Sequence, residues 1–356
     1  MEENISVIKV ENLTKDYGHG RGVFDVSFDV KKGEVFGFLG PNGAGKSTTI
    51  RHIMGFSRPQ KGQTSVFDLE SFAHYNIILK DVGYLPGEIA LPEGLSGWEF
   101  IDMMSKLRGI KNQQRIDYLL KKFDFNPIGE TKKMSLGDKR KLAIVVAFMN
   151  DPEVLILDEP TSGLDPVMQQ VFIDFIKEEK SRGKTILLSS HIFNEVEETC
   201  DRIAIIKDGK IVSLFKSSSL KHNKNKAFEI KFNSVRGLDG FCKLIENNFN
   251  INKKINKSPK LLKNKEEINK TNNENSNFDM SEFLEIANNN KNSLDIEIKT
   301  VNKNNLTVVV AVHDDYINNL IELLSDYKIS EFCEIKLTLE DYFMKFYEND
   351  HVFGGV

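Results

Sequence analysis

The sequence predicts an α/β protein in two parts: a larger layered α/β domain interrupted by a helical sub-domain, then a small α+β domain. Three observations predict it. Short apolar β-type runs, Val35 to Leu39, Val154 to Leu157, Thr185 to Ser189 and Ile203 to Ile206, alternate with longer helical stretches from Val7 to about Ser217. Between about residues 88 and 150 the β-runs yield to helical periodicity, as in Trp98 to Arg108 and Gln113 to Phe123. Past Lys210 the composition shifts, and an AFEIKF strand opens the order β-α-β-β-α-β. That order continues with a helix from Leu238 to Glu246, strands at Leu294 to Lys299 and Leu306 to Val312, a helix from Tyr316 to Leu324 and a strand near Phe332 to Lys336. It suits a small ferredoxin-like domain. The expected boundaries are 1–220 and 221–356, with an Asn/Lys-rich insertion at about 250–292 too poor in aromatic and branched residues to form a core.

Length and charge set the limits. With 356 residues, about two domains can each bury a core without staples. The 48 Lys+Arg against 52 Asp+Glu leave a net charge of -4, which argues against nucleic acid as the main partner. Cys200, Cys242 and Cys333 are odd in number and far apart, so they build neither a disulfide framework nor a CxxC metal site, and a reducing compartment is expected. The opening MEENISVIKV carries acids where a signal peptide would carry bases, and no apolar run approaches the roughly 20 residues of a membrane span. The chain is expected to have no span of its own.

The first site element is the run Gly40-Pro41-Asn42-Gly43-Ala44-Gly45-Lys46-Ser47-Thr48, which fits G-x-x-x-x-G-K-[ST]. It follows an apolar strand and precedes a helical stretch, which is the context such a loop needs. Gly43 and Gly45 let the backbone turn and come close to an anion, so that amides and a helix N-terminus point at the β- and γ-phosphates. Lys46 adds a full charge there, and the Ser47 hydroxyl is a hard oxygen suited to Mg2+. The pattern predicts a nucleoside triphosphate site.

The second element is Val154-Leu155-Ile156-Leu157-Asp158-Glu159, four apolar residues and then two acids. A buried strand here delivers charge at its C-terminal edge, where open α/β sheets place their ligands. Asp158 is expected to hold Mg2+ through water, and Glu159 to orient and polarise the water that attacks the γ-phosphate. His191 follows an apolar strand, where a lone His is more often structural, although an imidazole there can hydrogen-bond the γ-phosphate and that water.

At this point the chain resembles the ATP-binding cassette family, specifically the separate ATPase subunits of ABC transporters, over roughly residues 5 to 215. The diagnostic part is Met134-Ser135-Leu136-Gly137-Asp138, similar to the family's LSGGQ signature, with Ser135 and Gly137 retained. Met134, Leu136 and Asp138 depart from the pattern. Ser162-Gly163-Leu164-Asp165 resembles the D-loop and Ser189-Ser190-His191 the switch segment. The resemblance implies a phosphate-loop NTPase cassette that hydrolyses ATP with Mg2+. It implies a head-to-tail dimer, most simply a homodimer, in which Ser135 and Gly137 of one copy face the phosphate loop of the other. It further implies that His191 takes that role at the γ-phosphate, that Tyr17 stacks on adenine, that Asp165 communicates across the dimer, and that a transmembrane permease subunit is the partner at the cytoplasmic face of the membrane. That partner's helix is expected to dock near Gly87 to Trp98. Where the family usually has Gln, this chain has Gly87, and Glu88 is the nearest candidate to replace it at the metal. The basic residues Lys132, Lys133, Lys139, Arg140 and Lys141 read as a solvated face. A C-terminal extension containing Leu339 to Phe343 leans the reading toward export. The alternatives are a soluble ATPase of the same type and a regulatory module not coupled to transport.

Overall fold

In the computed structural model, which describes residues 5–109, 111–221, 225–249, 296–335, 338–344 and 346, the chain divides into two compact units, Met1–Ser218 and Ser219–Val356. Unit one runs β1 (Ser6–Asp16), β2 (Gly22–Lys31), β3 (Val35–Leu39), α1 (Lys46–Ile53), β4 (Lys61–Val66), β5 (Leu69–Glu70), α2 (Ser71–Asp81) and β6 (Val82–Leu85). Helices α3 (Gly97–Arg108), α4 (Gln113–Lys122) and α5 (Leu136–Phe148) then intervene before β7 (Val154–Asp158). It continues with α6 (Pro166–Ser181), β8 (Thr185–Ser190), α7 (Phe193–Thr199), β9 (Arg202–Lys207) and β10 (Lys210–Lys216), and a short α8 (Ser218–Lys221) follows.

Two sheets build this unit. The larger has the order β10-β9-β3-β8-β7-β6, parallel from β9 to β6 with β10 added antiparallel. Every residue of β3, β7 and β8 is buried, as expected for strands covered on both faces. The smaller sheet, β2-β1-β4-β5, is antiparallel. Simple alternation of strand and helix did not separate it from the parallel sheet. Its inward side chains Val10, Val26, Phe28 and Val30 join one core with Phe36, Phe38 and Ile50.

The parallel register does the positioning. Leu39 pairs with Ser190 and Asp158 with Ser189, so the ends of β3, β8 and β7 lie side by side and release their following residues at one edge. This is where an open α/β sheet gathers a site.

Helix α5 is apolar on all sides from Leu142 to Phe148 and is buried there. α4 is held by Arg115, whose guanidinium lies over the Tyr118 and Phe175 rings and pairs with buried Glu179 at 2.7 Å.

Unit two contains β11 (Asn225–Phe232), α9 (Val235–Phe249), β12 (Ile296–Asn302), β13 (Thr307–His313), α10 (Ile317–Leu324), β14 (Ile329–Ile335) and α11 (Leu339–Met344). Its sheet is antiparallel with the order β12-β13-β11-β14. That is the strand order of a β-α-β-β-α-β fold with its first and third strands central. Phe228, Ile230, Val308, Val310 and Val312 alternate onto one core with Leu238, Phe241, Leu320 and Leu324 of the helices. The strand expected near Phe332 to Lys336 begins earlier, at Ile329. The Asn/Lys-rich stretch expected at 250–292 lies outside the described residues.

Candidate active site

Gly40 to Gly45 wrap the start of α1. The N-cap, Gly45, has φ 111°, no side chain caps the helix, and no acid sits in its first turn. The leading amides of α1 therefore lack intrahelical or side-chain acceptors and are open to an anion. Close packing explains the glycines as much as flexibility does. A Cβ at Gly40 would stand 2.6 Å from the Ile206 carbonyl oxygen, and one at Gly45 2.8 Å from Val23 Cγ1. Loop residues Pro41, Asn42 and Gly43 are exposed, while Ala44 is buried. Ser47 and Thr48 follow on the first turn of α1, half-buried.

Lys46 is only 5% exposed. Its ammonium donates to the carbonyls of Gly40 (2.5 Å) and Pro41 (3.1 Å) and pairs with Glu159 Oε1 at 3.0 Å. The other Glu159 oxygen, Oε2, lies 2.6 Å from His191 Nδ1. Lysine from the first turn of α1, and glutamate and histidine from just past the ends of β7 and β8, thus form one chain of contacts. Glu159 holds φ 49°, a left-handed conformation that costs a non-glycine residue about 1–2 kcal/mol. Its amide, donating to the Ser189 carbonyl at 3.0 Å, helps to keep it there.

Asp158 is buried beside this chain, and its Oδ1 accepts from Ser189 Oγ at 2.5 Å. Ser47 and Asp158 supply hard oxygens of the kind Mg2+ takes. Among the described residues no group of three or more His, Cys, Asp or Glu could hold a metal. A dication here needs phosphate oxygens and water to complete its shell, which suits Mg2+ and not a fully caged ion. The Gly87 backbone abuts Asp158: a Cβ at position 87 would stand 3.1 Å from Asp158 Oδ2. A side chain directed at the metal side would therefore grow from Gly87, while Glu88, one residue on, is exposed. Burial, with the Asp158 charge added, pushes the nearby Tyr84 phenol up to about 12.

The remaining expected residues lie elsewhere on the unit. Ser135 is the N-cap of α5: its Oγ accepts from the Asp138 amide at 3.1 Å and donates to the Asp138 carboxylate at 2.8 Å. The Gln-to-Asp departure thus leaves the N-cap intact and adds a hydrogen bond from its hydroxyl to the Asp138 carboxylate. Gly137 lies against the Gly163 carbonyl oxygen, which a Cβ would approach to 3.3 Å. Within the single chain Asp165 caps α6, accepting from the amides of Val167 and Met168 at 3.0 Å, with Pro166 at the first helical position. Tyr17 is exposed, with the Lys15 ammonium 5.7 Å from its ring centre.

Two residues escaped the sequence reading. Arg140, expected on a solvated face with its lysine neighbours, is 2% exposed and hydrogen-bonds three backbone carbonyls. Lys132 and Lys133 are exposed as expected, whereas Lys139 and Lys141 are half-buried. The place of Arg140 on the inward side of α5, two residues before the apolar run, was the available signal. Glu195 is the other. It is buried on α7, and its Oε2 accepts from Ser190 Oγ at 2.5 Å, while Ser190 Oγ in turn accepts from the Ile192 amide at 2.9 Å. Burial, followed by the Glu159 charge, pushes the Glu195 carboxyl up to about 7.

Comparison with known proteins bears on this geometry. The protein-family profile described as ABC transporter matches residues 23–162. The chain is 37% identical over 234 residues to a bacitracin transport ATP-binding protein of Bacillus licheniformis, covering 64% of this chain and 75% of that protein. It is 36% identical over 208 residues to a lantibiotic transport ATP-binding protein of Streptococcus pyogenes, covering 58% of this chain and 89% of that one. Among solved structures, an ATP-binding subunit of an ABC transporter superposes with a TM-score of 0.57 at 30% identity, over 61% of this chain and 92% of that one. A dimeric ATP-binding cassette captured after hydrolysis with ADP and phosphate shares the fold, with a TM-score of 0.54 at 24% identity over 59% of this chain and 98% of that one.

Proposed function

Because this chain belongs to the family of ABC transporter ATP-binding proteins and is an ATPase of that type, we propose that it powers export of a substrate through a separate transmembrane permease subunit. Two copies close on two ATP molecules, and hydrolysis reopens them. The observation that carries the reading is the Lys46–Glu159–His191 chain of contacts beside the uncapped N-terminus of α1. Phosphates are held by the open amides of α1 and by Lys46, which leaves Glu159 for them. Glu159 then accepts a proton from the water that attacks the γ-phosphate, ADP leaves, and His191, already hydrogen-bonded to Glu159, steadies the γ-phosphate under attack. Ser47 and Asp158 are the residues that hold Mg2+, whose chemistry there is to neutralise charge developing on the phosphates. Tyr17, exposed, stacks on adenine. In the closed dimer, Ser135 and Gly137 of one copy offer donors to the γ-phosphate held by the other, and Asp165 lies at the seam.

Export is supported by the bacitracin and lantibiotic transport relatives. No helix of the described residues is long and apolar enough to cross a membrane, so the reading assigns the span to the permease and this chain to its cytoplasmic face. The exposed ring of Trp98, with Phe56, Phe72 and Tyr75 exposed near α2, offers apolar surface for the permease's helix. Residues 1–220 then form the cassette and 221–356 an accessory domain.

The test combines two readouts. With ATP and Mg2+, Ser135→Arg added to the Glu159→Gln chain is expected to abolish the dimer on a sizing column, and Ser135→Arg alone is expected to hydrolyse about 100-fold more slowly, the loss typical of removing a transition-state donor. The tagged chain, drawn from detergent-solubilised membranes, is expected to bring a multi-span protein with it. Full activity in the Ser135 variant removes the dimer, and a chain that comes down alone removes the permease.

A further inference from the structure

Arg140 lies about one and a half turns into α5 from Ser135. Its Nε donates to the Ser162 carbonyl at 2.9 Å, and its two terminal nitrogens donate to the carbonyls of Pro86 (2.9 Å) and Gly87 (2.7 Å). A fully buried guanidinium is costly unless its donors are satisfied, and these bonds use each of its three nitrogens. Asp158, Glu159 and Glu195 act on it through space. A second contact ties the same end of α5 to the same loop: a Cβ at Gly163 would stand 2.8 Å from Leu136 Cγ. The loop that Arg140 grips on its other side is the one whose Gly87 abuts the Asp158 carboxylate. A continuous line therefore runs from Ser135 along a rigid helix to Arg140, across to Gly87, and on to Asp158.

We propose that Arg140 is a positioning residue that couples the Ser135 end of α5 to the Asp158 side of the site, holding the Gly87 backbone in place so that the metal-binding oxygens are set only when α5 is seated. This deepens the function proposed above and rests on its assignment of Ser135 and Asp158. Gly87 has no side chain to perform such a link, and the planar fork of Arg140 grips two successive carbonyls, which a lysine cannot do.

Arg140→Gln keeps an amide able to reach one carbonyl and leaves others unpaired. In it, ATP affinity without Mg2+ is expected to stay within about twofold, since Lys46 and α1 are untouched. The Mg2+ concentration for half-maximal hydrolysis is expected to rise about tenfold and kcat to fall about 10- to 100-fold, the scale of losing a charge-assisted bond. Arg140→Lys, which keeps the charge, should recover part of kcat. A folded Arg140→Gln chain with unchanged Mg2+ dependence and kcat overturns the proposal. Should both variants fail to melt cooperatively, hydrogen exchange decides on the Glu159→Gln chain, whose Arg140 is intact. On adding ATP and Mg2+, protection is expected to rise together at 87–88 and 135–141. Protection at 135–141 with none at 87–88 overturns the coupling, whereas a chain that stays monomeric overturns the dimer itself and the coupling with it.

Discussion

Glu159→Gln separates two jobs that the structure gives one side chain. Without nucleotide, Glu159 Oε1 stands 3.0 Å from the Lys46 ammonium and competes with any phosphate for it. Bare Coulomb attraction at that distance is about 5 kcal/mol at an effective dielectric near 20. Desolvation of the buried ammonium and the half-buried carboxylate offsets most of it, leaving about 1–2 kcal/mol for ATP to overcome. Glutamine is nearly isosteric and keeps one acceptor for His191, so the variant should bind ATP about 5- to 30-fold more tightly in the absence of Mg2+. Hydrolysis should move the other way. Losing a positioned general base costs about 10²- to 10⁴-fold. Equilibrium binding of a fluorescent ATP analogue and steady-state phosphate release measure the two. Tighter binding with near-normal turnover removes Glu159 as the base. Unchanged or weaker binding shows that Glu159 does not hold Lys46 from the phosphates, and the contact chain loses its meaning.

Gly45→Ala places a Cβ 2.8 Å from Val23 Cγ1 at φ 111°. It should cost about 1–3 kcal/mol of stability in denaturant titration and weaken ATP binding at least about tenfold, whereas an unaltered Kd would show that the loop does not need its glycine. Glu195 has its folded value raised from 4.5 to about 7, so the folded state holds the extra proton between those values and its contribution to stability falls as pH rises through that window. Between pH 5.5 and 7.5 the wild type should lose about 2 kcal/mol relative to Glu195→Gln, and parallel pH profiles in chemical unfolding would contradict this. Glu179→Ala strips the buried partner of Arg115 and of Arg182. A cost of about 3–5 kcal/mol is expected, read by thermal and denaturant unfolding, and a loss under about 1 kcal/mol would mean that the Arg115 guanidinium rests on its two aromatic rings alone.

Much of the cassette could be read from residues because its chemistry is local in sequence. A phosphate loop is one contiguous turn, and an apolar strand ending in Asp158-Glu159 announces both its burial and its charge. The parallel strands at Val35, Val154 and Thr185 were legible for the same reason: full burial leaves a continuous apolar run. The antiparallel sheet was not separated, because β1 and β4 belong to it through long-range pairing, as in Val10 with Thr64, which no local window contains. The C-terminal strand order followed from a hydrophobic alternation that survives the long polar insertion between α9 and β12. Its last strand was misplaced by a few residues because Ser330 and Glu331 carry no apolar signal.

Arg140 failed to stand out for a different reason. Its partners are backbone carbonyls, which have no residue identity to read, and its neighbours Lys139 and Lys141 suggested a common exposure. Successive side chains on a helix point about 100° apart, so a run of like charges on α5 need not share an environment, and Arg140 is buried between half-buried Lys139 and Lys141. The same logic bears on the departures in the signature. Ser135 keeps its capping role with Asp138 in place of Gln, because the cap bond comes from the backbone amide at 138, and the carboxylate adds a bond from the Ser135 hydroxyl. Leu136, replacing a glycine, finds room because Gly163 lies beneath it without a side chain. The substitution at 136 therefore depends on the glycine at 163, and a side chain introduced at either the D-loop or the signature must be accommodated by the other.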